Sequence, residues 1–278
     1  MNLNNIREGE LKETFDALEE AFAATGTDYY IIGALARDVW YSRGSKTFRQ
    51  TKDVDFAVLV GSNDDYNAVK QYLKENKNFV DSKENAFVMH TASGVQVDIL
   101  PFGEIEIDDA VNFAGAGLTS IKVNGFREVY DSGTAEIKMK TGHNFKIATL
   151  PSIVLLKLIA YDDRPERRSK DPRDIANIIA QFFDLQADLI YREHVDLFTE
   201  IDSEQTLEEI SAKVIGREIK KICATNQNLL GRLKQILQSH IDQNDESLFI
   251  RNMIAEARWT VEKSMQLLQN ILLSLDYS

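Results

Sequence analysis

Residues 30–60 read YIIGALARDVWYSRGSKTFRQTKDVDFAVLV, and the fold is organised around this stretch. An apolar run ends at Gly33, a helix-like segment follows, and after a basic loop a second apolar run starts with Asp53 and Asp55. Side chains alternate between the two faces of a strand, so acids two residues apart share a face. The pattern predicts a strand, a glycine turn, a short helix and an acidic strand.

Paired carboxylates in an apolar strand repel each other and resist burial unless a positive charge lies between them. Hard oxygen ligands of this kind suit Mg²⁺. Asp98, in the alternating run VQVDILPF, adds an acid on another predicted strand. We therefore expect Asp53, Asp55 and Asp98 to hold two Mg²⁺ ions, with Mn²⁺ as an alternative. The competing interpretation is that Asp53 caps the strand entry and that Asp55 and Asp98 are solvated edge residues.

Gly33-Ala34, the acidic pair Asp53 and Asp55, and the separate Asp98 resemble the signature of the nucleotidyltransferase superfamily. That superfamily includes DNA polymerase β, the tRNA-terminal nucleotide-adding enzymes and the aminoglycoside nucleotidyltransferases. The resemblance implies that the three acids are catalytic and bind metal, and that Gly33 and Ala34 bind nucleotide. Ala34 departs from the usual glycine or serine, so only backbone amides remain to hold phosphate at this turn.

Lys157 interrupts the apolar segment PSIVLLKLIAYDD, where an amine must reach solvent or meet a charge. Further on, Asp171 suits a helix N-cap and Asp174 suits the first turn of the same helix. A helical lysine followed by Lys-Asp-x-x-Asp is similar to the AbiEii toxin branch of the superfamily, which acts in abortive infection and toxin–antitoxin pairs. This resemblance implies that Lys157 contacts NTP phosphate and that Lys170, Asp171 and Asp174 shape the nucleotide pocket.

Two further groups allow two interpretations each. Arg37 and Asp38 are either a surface ion pair of little energetic value or, by resemblance to a similar run in the tRNA-terminal enzymes, a site where Arg37 binds nucleotide. Arg43, Lys46 and Arg49 belong either to a solvated loop or to a set of cations that meets triphosphate charge.

The composition describes an ordinary globular protein of 278 residues, 44% hydrophobic and 27% charged. A net charge of −12 argues against a general nucleic-acid coating protein, which needs a broad basic face. Cys223 is the single cysteine, so no internal disulfide forms. The N-terminal sequence lacks the apolar core of a signal peptide, and no apolar run approaches the roughly 20 residues that span a bilayer. We expect a soluble cytoplasmic protein without a membrane partner.

The predicted fold class is α+β, with an N-terminal nucleotidyltransferase-like mixed sheet flanked by helices and a C-terminal helical bundle. Residues 1–147 form the predicted catalytic domain, and residues 148–278 form a helical domain expected to complete the nucleotide pocket. Within the first domain, residues 103–147 are predicted to add strands to the sheet, with a hairpin at Asn124-Gly125. The final segment, AEARWTVEKSMQLLQNILLSL, is predicted to be one amphipathic helix.

The predicted reaction is metal-dependent transfer of an NMP from an NTP to an acceptor hydroxyl, with release of pyrophosphate. The acceptor is tRNA, a protein or a small molecule, and an antitoxin is a candidate partner. Two alternatives remain open at this point: a non-catalytic module that binds a nucleotide or a partner, and a small-molecule enzyme of the aminoglycoside type. Addition to tRNA termini is disfavoured because no arginine-rich base-selecting motif follows Asp98.

Overall fold

A computed structural model describes residues 8–46, 53–113, 117–198 and 205–277. The described chain contains a mixed β-sheet followed by a set of helices, which confirms the predicted α+β class. None of the described helices combines the length and the apolar character needed to cross a membrane.

Contacts between Cα atoms divide the chain into two compact units. The first comprises Met1–Tyr130 and Thr134–Thr149, and the second comprises Asp131–Gly133 and Leu150–Ser278. The first unit holds the strands, and the second holds the long C-terminal helices.

The first unit is built on a seven-stranded sheet with the order β3-β4-β5-β2-β1-β9-β8, and β6 and β7 form a separate two-stranded sheet. The strands are β1 (Asp28–Ile31), β2 (Asp53–Leu59), β3 (Val80–Asp81), β4 (Val88–His90), β5 (Gln96–Phe102), β6 (Ala110–Asn112), β7 (Ser120–Lys122), β8 (Thr134–Lys138) and β9 (Asn144–Ala148). In the middle of the sheet, β2 pairs antiparallel with β1 and parallel with β5. The two predicted acidic strands are therefore direct neighbours.

One face of the sheet is covered by an aromatic core. Phe15 lies edge-on to Phe56 and Phe145, with ring centroids 6.4 and 4.9 Å apart. The rings of this core come from helix α1 (Glu8–Thr25) and from β1, β2 and β9. The other helices that accompany the strands are α2 (Gly33–Arg43), α3 (Asn63–Lys77) and α4 (Phe126–Ser132). Because Phe56 faces this core and strand residues alternate, Asp55 lies on the opposite face of β2.

Two predictions for residues 103–147 are wrong. The Asn124-Gly125 turn leads into helix α4 rather than a hairpin, and β6 and β7 do not join the main sheet. The cause lies in the spacing of Phe126 and Tyr130, four residues apart, which both pack on Phe102 with centroids 6.2 and 5.8 Å away. That spacing places both rings on one side of a helix. Among the described strands of this segment, β8 and β9 extend the sheet, pairing with each other next to β1.

The second unit is helical. Its helices are α5 (Leu150–Asp163), α6 (Asp171–Glu193), α7 (Leu207–Ile222), α8 (Gln227–Gln243), α9 (Leu248–Ala257) and α10 (Val261–Ser274). Thr206 and Glu209 form a reciprocal capping box at the start of α7. Gly216 lets α7 approach α10 closely, since an added Cβ would lie 2.5 Å from the carbonyl oxygen of Ile271.

The predicted single C-terminal helix is two helices. α9 ends at Ala257, Arg258 takes a left-handed conformation with φ of 57°, and the Thr260 side chain accepts a hydrogen bond from the amide of Lys263 to begin α10. Trp259 lies in this break and is half-buried. The N-cap at Thr260 is the local signal that divides the segment.

Candidate functional site

Asp55 and Asp98 occupy matched positions on neighbouring parallel strands. They are Cα partners in the register of β2 with β5, and such strands lie about 4.8 Å apart. Both side chains are half-buried. Two carboxylates side by side on one face of a sheet form a site that favours a divalent cation.

Gly33 lies directly against the Asp55 carboxylate. The hydrogen bond from the Ile32 amide to the Asp55 carbonyl, 3.0 Å long, extends the pairing of β1 with β2 to this point. A Cβ on Gly33 would lie 2.5 Å from Asp55 Oδ2, and its φ of +66° is one that other residues rarely adopt. Glycine is therefore required at this position for two reasons, the backbone conformation and the close approach of the Asp55 carboxylate.

Gln96 is a polar neighbour of the acids that the sequence interpretation missed. Its Nε2 donates a 2.8 Å hydrogen bond to Asp98 Oδ1, and its Cα is the register partner of Asp53. The side chain of Asp53 lies outside the described part of the structure. The signal was present in the sequence, because Gln96 lies two residues before Asp98 and so shares its face of β5.

The N-terminus of α2 lies beside the acids. The helix begins at Gly33, and the bond from the Ala36 amide to the Ile32 carbonyl, 3.3 Å long, closes its first turn. The amides of Gly33 and Ala34 precede that bond and have no acceptor within the helix. Such amides suit an anion such as phosphate. An anion-binding helix N-terminus therefore lies next to the two carboxylates, which favour a cation.

Arg37 is buried, which makes the surface ion-pair interpretation wrong. Its side chain is 2% exposed, and its Nε and one terminal nitrogen donate to Asp38 Oδ1 over 3.0 and 2.7 Å. Tyr41, four residues further along the same side of α2, is buried as well. A buried guanidinium is costly without charge compensation, and Asp38 supplies it.

The predicted basic loop is described only in part. Arg43 lies over the ring of Trp40, 5.5 Å from its centroid. Lys46 is the last described residue before a gap, and Arg49 lies outside the described residues.

Lys157, Asp171 and Asp174 meet in the second unit. The Lys157 ammonium lies 2.6 Å from Asp171 Oδ1 and 2.8 Å from Asp174 Oδ2. All three side chains are 14% exposed or less. Burial lowers the pKa of Lys157, but the two carboxylates outweigh it and leave that pKa above its ordinary value. Of the two alternatives for this amine, solvent or a charged partner, the structure shows the second.

The predicted N-cap role of Asp171 is wrong by one residue. Lys170 precedes α6 without a capping side chain, and Asp171 is the first helical residue. Its carboxylate turns to Lys157 instead, because a full charge in a buried position attracts it more strongly than a backbone amide does. Asp171 Oδ2 has no hydrogen-bond partner and lies 4.0 Å from the Arg168 guanidinium, while Lys170 is exposed.

A family model described as "Nucleotidyl transferase AbiEii toxin, Type IV TA system" matches residues 16–269. The match confirms the predicted resemblance and the predicted class of enzyme. No curated protein matches the sequence.

Among solved structures, the chain is similar to one titled "Solution Structure of Antibiotic-Resistance Factor ANT(2'')-Ia Reveals Substrate-Regulated Conformation Dynamics". The alignment covers 84% of this chain and 100% of that one, at 10% identity and a TM-score of 0.40.

Proposed function

The chain belongs to the family of AbiEii nucleotidyltransferase toxins of type IV toxin–antitoxin systems, and on that basis we propose that its nucleotidyl transfer depends on Mg²⁺. The substrate is an NTP, the acceptor group is a hydroxyl, and pyrophosphate is the second product. The observation that carries the proposal is the register match of Asp55 with Asp98 beside Gly33.

The donor set fits a hard divalent cation. Asp55 and Asp98 offer carboxylate oxygens from adjacent strands, and the Gln96 amide orients one of them. Mg²⁺ prefers such oxygens together with substrate phosphates, and Mn²⁺ is an alternative in the same ligand set. With Asp53 as the third acid, these residues would hold two ions. When bound, the ions neutralise charge on the attacking and leaving oxygens.

Other residues of the first unit bind phosphate, accept the proton and position the acids. The amides of Gly33 and Ala34 bind phosphate oxygens at the start of α2. Asp98 accepts the proton of the attacking hydroxyl as a general base, and a bound ion would make that hydroxyl more acidic. The Arg37 side chain is 2% exposed, so we propose that it does not bind phosphate directly. Its role is to hold the Asp38 carboxylate by hydrogen bonds.

By resemblance to the family, Lys157, Lys170, Asp171 and Asp174 are proposed to bind nucleotide. The ammonium of Lys157 is held by two carboxylates, so it is fixed in place before a nucleotide arrives. Preorganised charge of this kind needs little reordering when the substrate binds. Lys170 is exposed and remains open to a phosphate.

The acceptor is proposed as a class, a hydroxyl on tRNA, a protein or a small molecule. An acidic protein attracts a cationic small acceptor, and a net charge of −12 is compatible with that choice. The cytoplasm as the place of reaction and an antitoxin as partner complete the proposal.

The test is incorporation of label from each of the four α-labelled NTPs, in Mg²⁺, into bulk tRNA, cell protein or an aminoglycoside. We expect Asp98→Asn to lower transfer at least about 100-fold, because the general base and a metal ligand are lost together. Asp64→Asn, an exposed acid in the first turn of α3, is the matched control and should transfer normally.

Equal transfer by Asp98→Asn and wild type would overturn the assignment of the site. Binding of NTP without transfer to any of the three acceptor classes would favour the non-catalytic module.

A further inference from the structure

Three potential metal ligands converge in the second unit, where α6 ends beside α7. Glu193 is the last residue of α6, His194 follows it, and Glu218 lies on α7. One ligand atom from each side chain lies within 4.8 Å of the other two. The closest pair, His194 Nε2 and Glu218 Oε1, is 3.0 Å apart.

His194 is buried with one ring nitrogen unsatisfied. The residue is 1% exposed, and its Nδ1 has no hydrogen-bond partner. Buried polar atoms are nearly always satisfied, so this Nδ1 calls for an ion, a water or a functional role, while the other ring nitrogen, Nε2, faces Glu218. Two of the three residues, Glu193 and His194, also line a cavity of about 650 Å³ together with Arg217 and Tyr277, which gives an ion a path to the imidazole.

A positive charge already lies against the two carboxylates of this cluster. The Lys221 ammonium lies 3.2 Å from Glu193 Oε2 and 2.6 Å from Glu218 Oε1. The Lys221 side chain is 55% exposed, so it can rotate into solvent and yield its place. The end of α6 adds negative potential, since the last carbonyls of a helix carry partial negative charge.

We propose that Glu193, His194 and Glu218 form a binding site for a first-row transition ion of the Zn²⁺ type, distinct from the Asp55 and Asp98 site. An imidazole with two carboxylates suits such an ion, whereas Mg²⁺ takes oxygen ligands. Three protein ligands leave a fourth position open toward the cavity. Bonds of about 2 Å require the ligands to draw closer than they now lie, and the exposed Glu193 side chain can close that gap.

The ion would replace Lys221 as the positive charge that joins the end of α6 to α7. Lys221 and the ion therefore compete for the same carboxylates, and this competition predicts how the variants bind metal. Removal of Lys221 should strengthen metal binding, while removal of its neighbour Lys220, which donates to the Tyr277 carbonyl, should have no effect.

The experiment is calorimetric titration of Zn²⁺ into the full chain in excess Mg²⁺, with wild type, Lys221→Met, Lys220→Met and Glu193→Gln. Binding common to other surface groups cancels in the comparison between variants. We expect Lys221→Met to bind about tenfold more tightly and Glu193→Gln about tenfold or more weakly than wild type, shifts typical of groups at or beside metal ligands. Lys220→Met should match wild type.

The proposal is overturned if wild type and Lys221→Met both fail to bind Zn²⁺, if Lys221→Met binds no tighter than Lys220→Met, or if Glu193→Gln binds as wild type does. His194→Gln provides a further measurement once circular dichroism shows that it is folded. Unchanged affinity in that folded variant would also overturn the proposal, because the imidazole distinguishes this site from a pair of acids.

Discussion

No methyl group fits at Gly33, because an added Cβ would lie 2.5 Å from Asp55 Oδ2. Gly26 offers a rare comparison in the same unit. Its φ of +64° matches the +66° of Gly33, but nothing lies within 4 Å of its added Cβ. The two glycines therefore separate backbone strain from contact with the acid.

We predict that Gly33→Ala and Gly26→Ala both lose about 1–2 kcal/mol of stability, the usual cost of a left-handed conformation for a residue with a Cβ. Only Gly33→Ala should lose nucleotidyl transfer, since only that methyl displaces the Asp55 carboxylate. Urea unfolding and release of pyrophosphate measure the two effects. Full transfer activity in a folded Gly33→Ala protein would contradict the role of this close approach.

Gln96 orients Asp98 through one hydrogen bond of 2.8 Å. We predict that Gln96→Leu lowers kcat about tenfold, a magnitude typical of groups that orient a metal ligand, and leaves the KM for NTP nearly unchanged. Steady-state kinetics at saturating Mg²⁺ give both values. Gln71→Leu, on the exposed surface of α3, serves as the control. If kcat survives in Gln96→Leu, the amide has no positioning role.

At the scale of elements, the contact of α7 with α10 depends on a helical glycine. An alanine methyl at Gly216 would lie 2.5 Å from the Ile271 carbonyl and 2.6 Å from Ser274 Cβ. Gly231, in α8, has nothing within 4 Å of an added Cβ. Alanine is favoured over glycine inside a helix by about 1 kcal/mol, so the two positions should respond in opposite directions.

We predict that Gly231→Ala raises the free energy of unfolding by up to about 1 kcal/mol. Gly216→Ala should lower that free energy despite the same gain in helix propensity, since α10 must move away from α7. Chemical denaturation followed by circular dichroism distinguishes the two. Stabilisation by both variants would show that the helices adjust without cost.

For the molecule as a whole, the features that could be predicted from the sequence are those with a strict periodicity or with a charge that needs a partner. Acids two residues apart in an apolar strand must share a face, and a lysine inside an apolar helix must reach solvent or meet a charge. Asp55 and Lys157 followed from these two rules. Both are local constraints that a chain carries wherever it folds.

Other features depend on partners distant in sequence and could not be predicted in the same way. Arg37 is buried because of the packing of α2 onto the sheet, although its immediate neighbours in sequence leave its exposure open. Asn124-Gly125 is a strong hairpin signal, yet packing on Phe102 turned the following residues into a helix. Gln96 could have been identified by the same period-two rule that revealed Asp98.

The central claim is that Asp55 belongs to a metal-dependent nucleotide site, and thermal unfolding with each NTP tests it most directly. A ligand at 100 times its Kd stabilises a protein by about 2.7 kcal/mol. We predict that at least one NTP raises the Tm of wild type only when Mg²⁺ is present, and that folded Asp55→Asn shows no such rise. An equal rise in Asp55→Asn, or a rise in wild type that is independent of Mg²⁺, would contradict the account.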